Sequence, residues 1–177
     1  MGKLLEEGLQ LEPVACYVDA RNPRYKAVIS AKTDLTPLLP YLNAVARVVY
    51  YDPEEPVLIF RLGDNKVAVR KDNVQISNLT DQEEARQLRE EVERFLTEVW
   101  EKRGEISPRL EPRRLPPALE IYRCLPGTNC GECGEPSCMA FAVKLSTLEA
   151  EPQACRPLYQ DPQFAEKRAA LQKLLPQ

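Results

Sequence analysis

The sequence has 177 residues, a formal net charge of −3 and 44% hydrophobic residues. A chain of this length and composition can bury the core of one ordinary domain and leave residues for a small second one. Its acidic balance argues against nucleic-acid binding, which needs a basic surface, and no apolar stretch approaches the length of a membrane span. The first residues, MGKLLEEGLQ, lack the apolar run of a signal peptide, so we expect a cytoplasmic protein.

Residues 12–104 predict an α+β domain, a sandwich-like arrangement of one sheet with two helices. The run YKAVISA at 25–31 has the β-branched and aromatic composition of a strand. A short helix is expected next, with Asp34 or Thr36 as its cap and Pro37 in its first turn. Its apolar positions are Leu38, Leu39, Leu42 and Val45.

Three β-rich runs follow this helix and predict further strands. They lie at residues 47–51, 57–62 and 66–70. The turn Gly63-Asp64-Asn65 predicts that the last two form a hairpin, because glycine and asparagine tolerate the left-handed backbone of tight hairpin turns. Residues 74–76 are expected to add a strand at the edge of the sheet.

A long helix is expected at the end of this domain. It should begin at Thr80, since Thr80-x-x-Glu83 has the spacing of a capping box, and it should stop at Gly104. One face of this helix is apolar at helical spacing and is expected to pack on the core. Its members are Ala85, Leu88, Val92, Phe95, Leu96 and Val99.

The remaining sequence predicts a linker and a second, smaller domain. Residues 105–118 carry four prolines among charged residues, which is typical of an extended linker. Residues 119–160 predict a small, mostly helical domain that contains most of the cysteines, and residues 161–177 predict a tail helix.

Four cysteines near the C-terminus are the strongest functional signal in the sequence. Cys130, Cys133, Cys138 and Cys155 follow the spacing C-x2-C-x4-C-x16-C. Three thiolates on one tight loop, with a fourth arriving from beyond a short helix, have the arrangement needed to surround a compact inorganic core. The spacing favours one 4Fe–4S cluster bound by these four residues, and therefore a redox function.

The residues between the cysteines fit an anionic cluster. Gly131 and Gly134 each follow a cysteine and allow left-handed turns that bring backbone N–H groups close to an anion. Cys138 begins a predicted helix whose N-terminus carries partial positive charge. This helix is expected to give the cluster a dry wall made by the side chains of Met139, Ala140, Ala142 and Leu145.

Two other uses of the four cysteines stay open at this point. A four-cysteine zinc site also uses C-x2-C pairs, although structural zinc sites usually take two well-separated pairs. The sequence has no histidine, which removes mixed Cys/His zinc sites. A disulfide scaffold is usually denser in cysteine and belongs to secreted proteins.

The other two cysteines are not needed by this pattern. Cys124 is interpreted as a small apolar residue on a short helix that leads into the loop, and Cys16 as a buried cysteine in the apolar strand-like run VACYV. The sequence contains no Ser-His-Asp arrangement, P-loop or G-x-G-x-x-G fingerprint. An electron carrier or accessory protein is therefore favoured over an enzyme.

The stretch LPGTNCGECGEPSCMAFAVKL, with CRPL further on, resembles the small 4Fe–4S domain called the Fes domain. That domain opens the large subunit of the corrinoid iron–sulfur protein of the acetyl-CoA pathway, and a similar one occurs in the B subunit of Rnf-type electron-transport complexes. The resemblance implies that Cys130, Cys133, Cys138 and Cys155 bind one 4Fe–4S cluster. The corrinoid subunit continues into a barrel domain, whereas this sequence ends shortly after Cys155, so no barrel is expected.

Through the stretch LPYLNAVARVVYYDPE as well, the whole chain resembles small stand-alone iron–sulfur proteins that accompany corrinoid methyltransferase systems in anaerobes. The resemblance implies a cytoplasmic electron-transfer protein or accessory of corrinoid-dependent one-carbon metabolism. Its expected partner is a redox protein such as a corrinoid protein. The alternative is a non-redox interaction module in which the cluster is structural.

Overall fold

The computed structural model describes residues 3–14 and 23–175. These residues form two compact units, Met1–Arg113 and Arg114–Gln177. The first unit is built on a β-sheet with helices and the second is helical, so the α+β class expected from the sequence is confirmed.

The sheet has seven strands and is antiparallel. In chain order the strands are β1 (Gln10–Pro13), β2 (Tyr25–Ser30), β3 (Arg47–Asp52), β4 (Val57–Leu62), β5 (Asn65–Arg70), β6 (Asn73–Leu79) and β7 (Arg113–Arg114). Their order across the sheet is β1-β2-β6-β5-β4-β3-β7. The sequence predicted β2 to β5 within a residue or so at each end, whereas β1 and β7 are too short to stand out in it.

Strands β4 and β5 form the predicted hairpin. Leu62 pairs with Asn65 at its end, and Gly63 takes a φ of 55° in the connecting turn. This left-handed conformation is strained for a residue with a Cβ atom, which explains why glycine stands there. The turn chemistry therefore fixes the register of the two strands.

The expected position of β6 at the edge of the sheet is wrong. Ile76 of β6 pairs with Val67 of β5 on one side and with Ala27 of β2 on the other. Strand β2, the partner on the second side, is distant in sequence, and no local pattern in residues 74–76 predicts this pairing. Interior strands are paired on both sides, so β6 joins the two halves of the sheet.

The first helical segment lies where the sequence predicts it, but its N-cap is Leu35 and not the predicted Asp34 or Thr36. A 3-10 turn at Thr36–Leu38 leads into α1 (Leu39–Val45). A side-chain oxygen of Asp34 accepts a hydrogen bond from the backbone N–H of Thr36 at 2.8 Å, which satisfies one of the donors left free at a helix start.

The long helix is α2 (Gln82–Glu101), and its cap lies one residue later than expected. Asp81 is the N-cap and accepts from the backbone N–H of Glu84 at 2.9 Å. Glu84 reaches back to the backbone N–H of Thr80 at 2.7 Å. The capping box predicted for Thr80 and Glu83 is thus replaced by one in which Asp81 accepts from Glu84 and Glu84 accepts from Thr80. Aspartate is as good a cap as threonine or better.

The apolar face predicted for α2 is confirmed and covers one face of the sheet. Ala85, Val92, Leu96 and Val99 are buried, and Leu88 and Phe95 pack partly buried against the same core. The rings of Phe60 on β4 and Phe95 lie 5.4 Å apart between their centroids, at an interplanar angle of 45°. Burial of this two-layer core is the main source of stability of the first unit.

The residues ahead of β1 also belong to this core. Leu5 is fully buried. The backbone N–H groups of Leu4 and Leu5 donate to the two carboxylate oxygens of Glu93, at 2.7 and 2.9 Å. The Arg89 side chain donates to the carbonyl of Glu6 at 2.9 Å. Two polar residues of α2 therefore hold the N-terminal segment in place.

The proline-containing segment after α2 has no regular structure from Ile106 to Pro112 but is attached to α1. The buried side chain of Asn43 donates to the carbonyls of Arg109 and Glu111, at 3.0 and 3.1 Å. The N–H of Arg109 donates to the carbonyl of Pro40 at 3.0 Å. Within the first unit, this part of the segment is a bound strap and not a free chain.

The second unit is mostly helical, as expected. It contains α3 (Ala118–Arg123), α4 (Cys138–Ser146), α5 (Arg156–Gln160) and α6 (Ala165–Leu174), the last of which is the predicted tail helix. Its core is small, and its apolar members are Ile121, Leu125, Phe141, Ala142, Leu145, Leu158 and Leu171. Among the described residues of the chain, no helix combines the length and the apolar character needed to span a membrane.

Candidate metal centre

The four predicted site cysteines lie on the connections between the helices of the second unit. Residues 126–137, which we call the cysteine loop, lie between α3 and α4, have no helix or strand, and contain Cys130 and Cys133. Cys138 is the first residue of α4, and Cys155 directly precedes α5.

The cysteine loop contains four residues with left-handed backbone. The φ angles are 79° at Gly127, 50° at Asn129, 77° at Gly131 and 86° at Gly134. The left-handed turns predicted at Gly131 and Gly134 are therefore confirmed. A side chain at either position would be strained, so glycine is what lets the loop coil tightly between the cysteines.

The start of α4 is held by two side chains. Ser137 is the N-cap, and its hydroxyl accepts from the backbone N–H of Ala140 at 3.1 Å. The backbone N–H of Cys138 donates to Oδ1 of Asn129 at 2.8 Å, which ties the start of the loop to its end. The serine cap is visible in the sequence as a good capping residue before the helix, whereas the role of Asn129 was missed because its partner is nine residues away.

Cys155 lies in the electrostatic neighbourhood of the other three cysteines. Burial raises the pKa of its thiol, and the charges of Cys133, Cys138 and Cys130 raise it further. A hydrogen bond from the backbone N–H of Leu158 to the sulfur acts in the opposite direction on this pKa. Cys155 and Cys138 are buried in the same small core and Cys133 packs against it, so the fold brings these three cysteines into one part of the unit.

The four cysteines differ in burial. Cys138 and Cys155 are 7% and 5% exposed and form part of the apolar core of the unit. Cys133 is partly buried, and Cys130 is exposed. The site therefore has a buried side formed by the two helix-associated cysteines and an open side formed by the loop.

The donor set fits an iron–sulfur cofactor. Thiolates are the soft ligands that iron–sulfur clusters take. In the parts of the chain that the structure describes, no three cysteine, aspartate or glutamate side chains converge tightly enough to hold a single metal ion. A cluster is a larger body than one ion, and its thiolates stand correspondingly further apart.

The expected dry wall on α4 is confirmed only in part. Ala142 and Leu145 are buried, whereas Met139 is 38% exposed and Ala140 is partly buried. Met139 follows Cys138 directly, and a helix turns by about 100° per residue, so the two side chains cannot share a face. The buried wall beside Cys138 is completed instead by Phe141.

A charged pair borders the cysteine loop. Lys144 of α4 forms an ion pair with Glu135, which lies between Cys133 and Cys138. The hydrogen bond to Glu135 and the charge of that carboxylate raise the pKa of Lys144, and Glu149 and Cys133 add to the effect. The ammonium group therefore stays positive beside the cysteines.

Of the remaining two cysteines, the structure describes Cys124 alone. Cys124 follows α3 directly, at the end of the predicted short helix, and packs partly buried against the core of the unit. Cys16 lies outside the described residues, so its interpretation as a buried strand cysteine stays a prediction.

Comparison with known proteins finds similarity in the C-terminal part of the chain. Residues 125–157 match the family model described as "Putative Fe-S cluster". The chain is 54% identical over 57 residues to acetyl-CoA decarbonylase/synthase complex subunit gamma 2 of Methanosarcina thermophila, a stretch covering 32% of this chain. It is 45% identical over 58 residues, or 33% of the chain, to subunit gamma of the same complex from Methanocaldococcus jannaschii.

These matches confirm that the C-terminal part of the chain resembles an iron–sulfur domain. The chain spans about 12% of the length of these relatives, so the similarity concerns one domain of a larger protein. No solved structure matches the chain significantly.

Proposed function

We propose that the protein binds one 4Fe–4S cluster through Cys130, Cys133, Cys138 and Cys155 and acts as an electron-transfer protein. The observation that supports the proposal is the shared core of the second unit, in which Cys138 and Cys155 are buried and against which Cys133 packs. The matched iron–sulfur family model covers all four residues.

Four thiolates suit electron transfer better than substrate chemistry. When bound, such a cluster takes up or gives out one electron at a time. Four cysteine ligands occupy all four irons, which leaves none open to a substrate. The sequence has no histidine, and its motifs contain no nucleophile paired with a general base. An enzymatic role therefore has little support.

The residues around the cysteines perform the tasks that electron transfer needs. Burial of Cys138 and Cys155 in the apolar core holds two ligands rigidly and excludes water on one side. The N–H of Leu158 donates to the sulfur of Cys155 and stabilises negative charge there. The open side at Cys130 leaves a short path to a partner.

The proposed partner is a redox protein of corrinoid-dependent one-carbon metabolism, with a corrinoid protein as first candidate. The support is the similarity of the second unit to the gamma subunit of the acetyl-CoA decarbonylase/synthase complex, together with the resemblance of its motif to that of a corrinoid iron–sulfur protein. The first unit, with its own core, would recognise the partner. Such a protein would work in the cytoplasm of an anaerobe.

A structural cluster is the second candidate. It is favoured by the small core of the second unit, in which Cys138 and Cys155 are themselves members. So small a core gains much of its stability from whatever its cysteines bind. In that case the bound cluster would resist reduction and the unit would serve only as a docking module.

The experiment that separates these candidates is a redox titration of anaerobically purified protein. We expect about four irons and four sulfides per chain, bleaching by dithionite and an electron paramagnetic resonance (EPR) signal of the reduced cluster. Stopped-flow mixing with a corrinoid protein in its oxidised cobalt state should then reoxidise the cluster. A cluster that dithionite does not reduce would favour the structural role, and one zinc per chain would contradict both candidates.

A further inference from the structure

The exposure of the four cysteines divides the cluster site into two sides. Cys138 and Cys155 lie against the core, with Phe141, Leu145 and Leu158 behind them. Cys130 lies at the surface. Any electron that leaves through the buried side must cross the packed interior of the unit, whereas Cys130 lies in an exposed part of the loop.

The surface around Cys130 is one continuous exposed stretch. All six residues of the run 127–132 are exposed, and two of them are glycines without a side chain to shield the sulfur. Electron tunnelling weakens steeply with distance, so a partner that approaches this stretch meets the shortest path to the cluster.

The charge of this surface indicates which charge a docking partner should carry. Between Arg123 and Lys144 the only charged residues are Glu132 and Glu135. Glu135 is paired with Lys144, whereas Glu132 is exposed beside Cys130. A cluster held by four thiolates adds further negative charge. The run 127–132 therefore carries negative charge only, which favours the approach of a cationic surface.

We infer that the exposed run 127–132 is the face through which the cluster exchanges electrons, and that it docks a redox protein with a positively charged surface. This inference rests on the proposed electron-transfer function. One electron crosses the face in each encounter: the reduced side loses one electron, the acceptor gains it, and no bond or proton changes place. Encounters of this kind have small, transient interfaces, which a six-residue loop with one carboxylate can provide.

The first test measures where a small cation binds on the holoprotein. Hexaamminechromium(III) is a paramagnetic cation that accepts no electron here, and it speeds the spin relaxation of a reduced cluster only when it lies close to it. We compare the wild type with Glu132→Lys and with Glu166→Lys, which makes the same charge change on an exposed residue of α6. Glu132→Lys should reduce the relaxation enhancement about threefold at 0.1 M salt, and Glu166→Lys should leave it near the wild-type value.

The second test measures electron transfer itself with oxidants of opposite charge. Oxidation of the dithionite-reduced protein by a tripositive cobalt(III) complex should slow about threefold in Glu132→Lys, and oxidation by ferricyanide should become faster by a similar factor. Iron content and reduction potential of each variant are measured so that rates are compared per cluster and at known driving force.

The outcomes distinguish the inference from the function on which it rests. A cluster that dithionite does not reduce would overturn the proposed function and the docking face together. A reducible cluster for which Glu132→Lys and Glu166→Lys behave alike in both tests would overturn the docking face alone. A selective effect of Glu132→Lys, with opposite sign for the two oxidants, supports both.

Discussion

Oδ1 of Asn129 accepts a hydrogen bond from the backbone N–H of Cys138 at 2.8 Å and so closes the cysteine loop on itself. Asn129 adopts a φ of 50°, a left-handed conformation that asparagine tolerates better than most residues. The closed loop carries Cys130 and Cys133 and ends at Cys138. One side chain thus links the start of the loop to the helix on which the third cysteine stands.

Replacement of Asn129 by glycine should weaken cluster retention. Glycine keeps the left-handed backbone but removes the acceptor, which leaves the partly buried N–H of Cys138 without its partner. We expect the loss to cost about 1–2 kcal/mol and iron release to a chelator to become roughly tenfold faster. The measurement is the rate of iron transfer to a coloured iron(II) chelator under anaerobic conditions.

Aspartate at the same position is the matched control. Asn129→Asp retains both the acceptor oxygen and the tolerance for left-handed backbone, so its iron release should stay near the wild-type rate. Equal rates for Asn129→Gly and the wild type would show that the loop does not depend on this hydrogen bond.

Serine substitution at each cysteine tests the ligand assignment. Serine at Cys130, Cys133, Cys138 or Cys155 should abolish or destabilise the cluster, because an alcohol is a much poorer ligand for iron than a thiolate. Serine at Cys124 or Cys16 should leave the visible absorption and the EPR signal nearly unchanged. Iron and sulfide analysis of the six variants is the measurement, and cluster loss in Cys124→Ser would mean that the ligands are assigned wrongly.

Local chemistry explains why much of the structure could be predicted from the sequence. The β4–β5 hairpin follows from a glycine that must take positive φ, and the loop conformation follows from Gly131 and Gly134 in the same way. The four cysteines can be picked out as a candidate site from their spacing alone. Each of these signals lies within a few residues of the structure that it determines.

The features that were missed depend on partners far away in the chain. The interior position of β6 requires β2, whose strand begins at Tyr25. Glu93 is one of many acidic residues on α2, and only the fold brings the N-terminal segment to its carboxylate. Asn129 looks like an ordinary loop residue until Cys138 is placed beside it. Sequence patterns of short range carry no information about such contacts.

The Lys144–Glu135 pair should tune the reduction potential of the cluster. Reduction adds negative charge, and the ammonium group beside Cys133 stabilises it. Lys144→Met should therefore lower the potential, by about 20–60 mV after allowance for solvent screening at a half-exposed side chain. The potential is measured by titration with redox mediators followed by EPR.

The double variant separates this charge effect from damage to the fold. Lys144→Met leaves the carboxylate of Glu135 uncompensated, whereas Glu135→Gln combined with Lys144→Met removes both charges of the pair. We expect the double variant to return most of the way to the wild-type potential. If the reduction potential of the double variant is as low as that of Lys144→Met, a simple electrostatic origin of the shift is contradicted.

Glu93 should be important for the stability of the first unit. Its carboxylate, 8% exposed, accepts the N–H groups of Leu4 and Leu5. Glu93→Ala leaves both donors without a partner and should cost about 2–4 kcal/mol in the free energy of unfolding. Glu91→Ala, an exposed residue on the same helix, should change it by less than about 0.5 kcal/mol. Urea unfolding followed by circular dichroism is the measurement.

The last prediction concerns how much of the chain the first unit needs in order to fold. Its core contains none of the proposed cluster ligands, so a fragment of residues 1–113 should fold without iron. A fragment of residues 1–104 should fold less stably, because it lacks the strap that binds α1. The side chain of Asn43 is fully buried, and without the carbonyls of Arg109 and Glu111 its amide donors lose their acceptors.

We expect the free energy of unfolding of the two fragments to differ by about 1–3 kcal/mol. Urea unfolding of both fragments in metal-free buffer measures it, and Asn43→Ala in the longer fragment is the control that should reproduce most of the loss. Equal stability of the two fragments would show that the strap contributes little, and an unfolded 1–113 fragment would show that the two units depend on one another to fold.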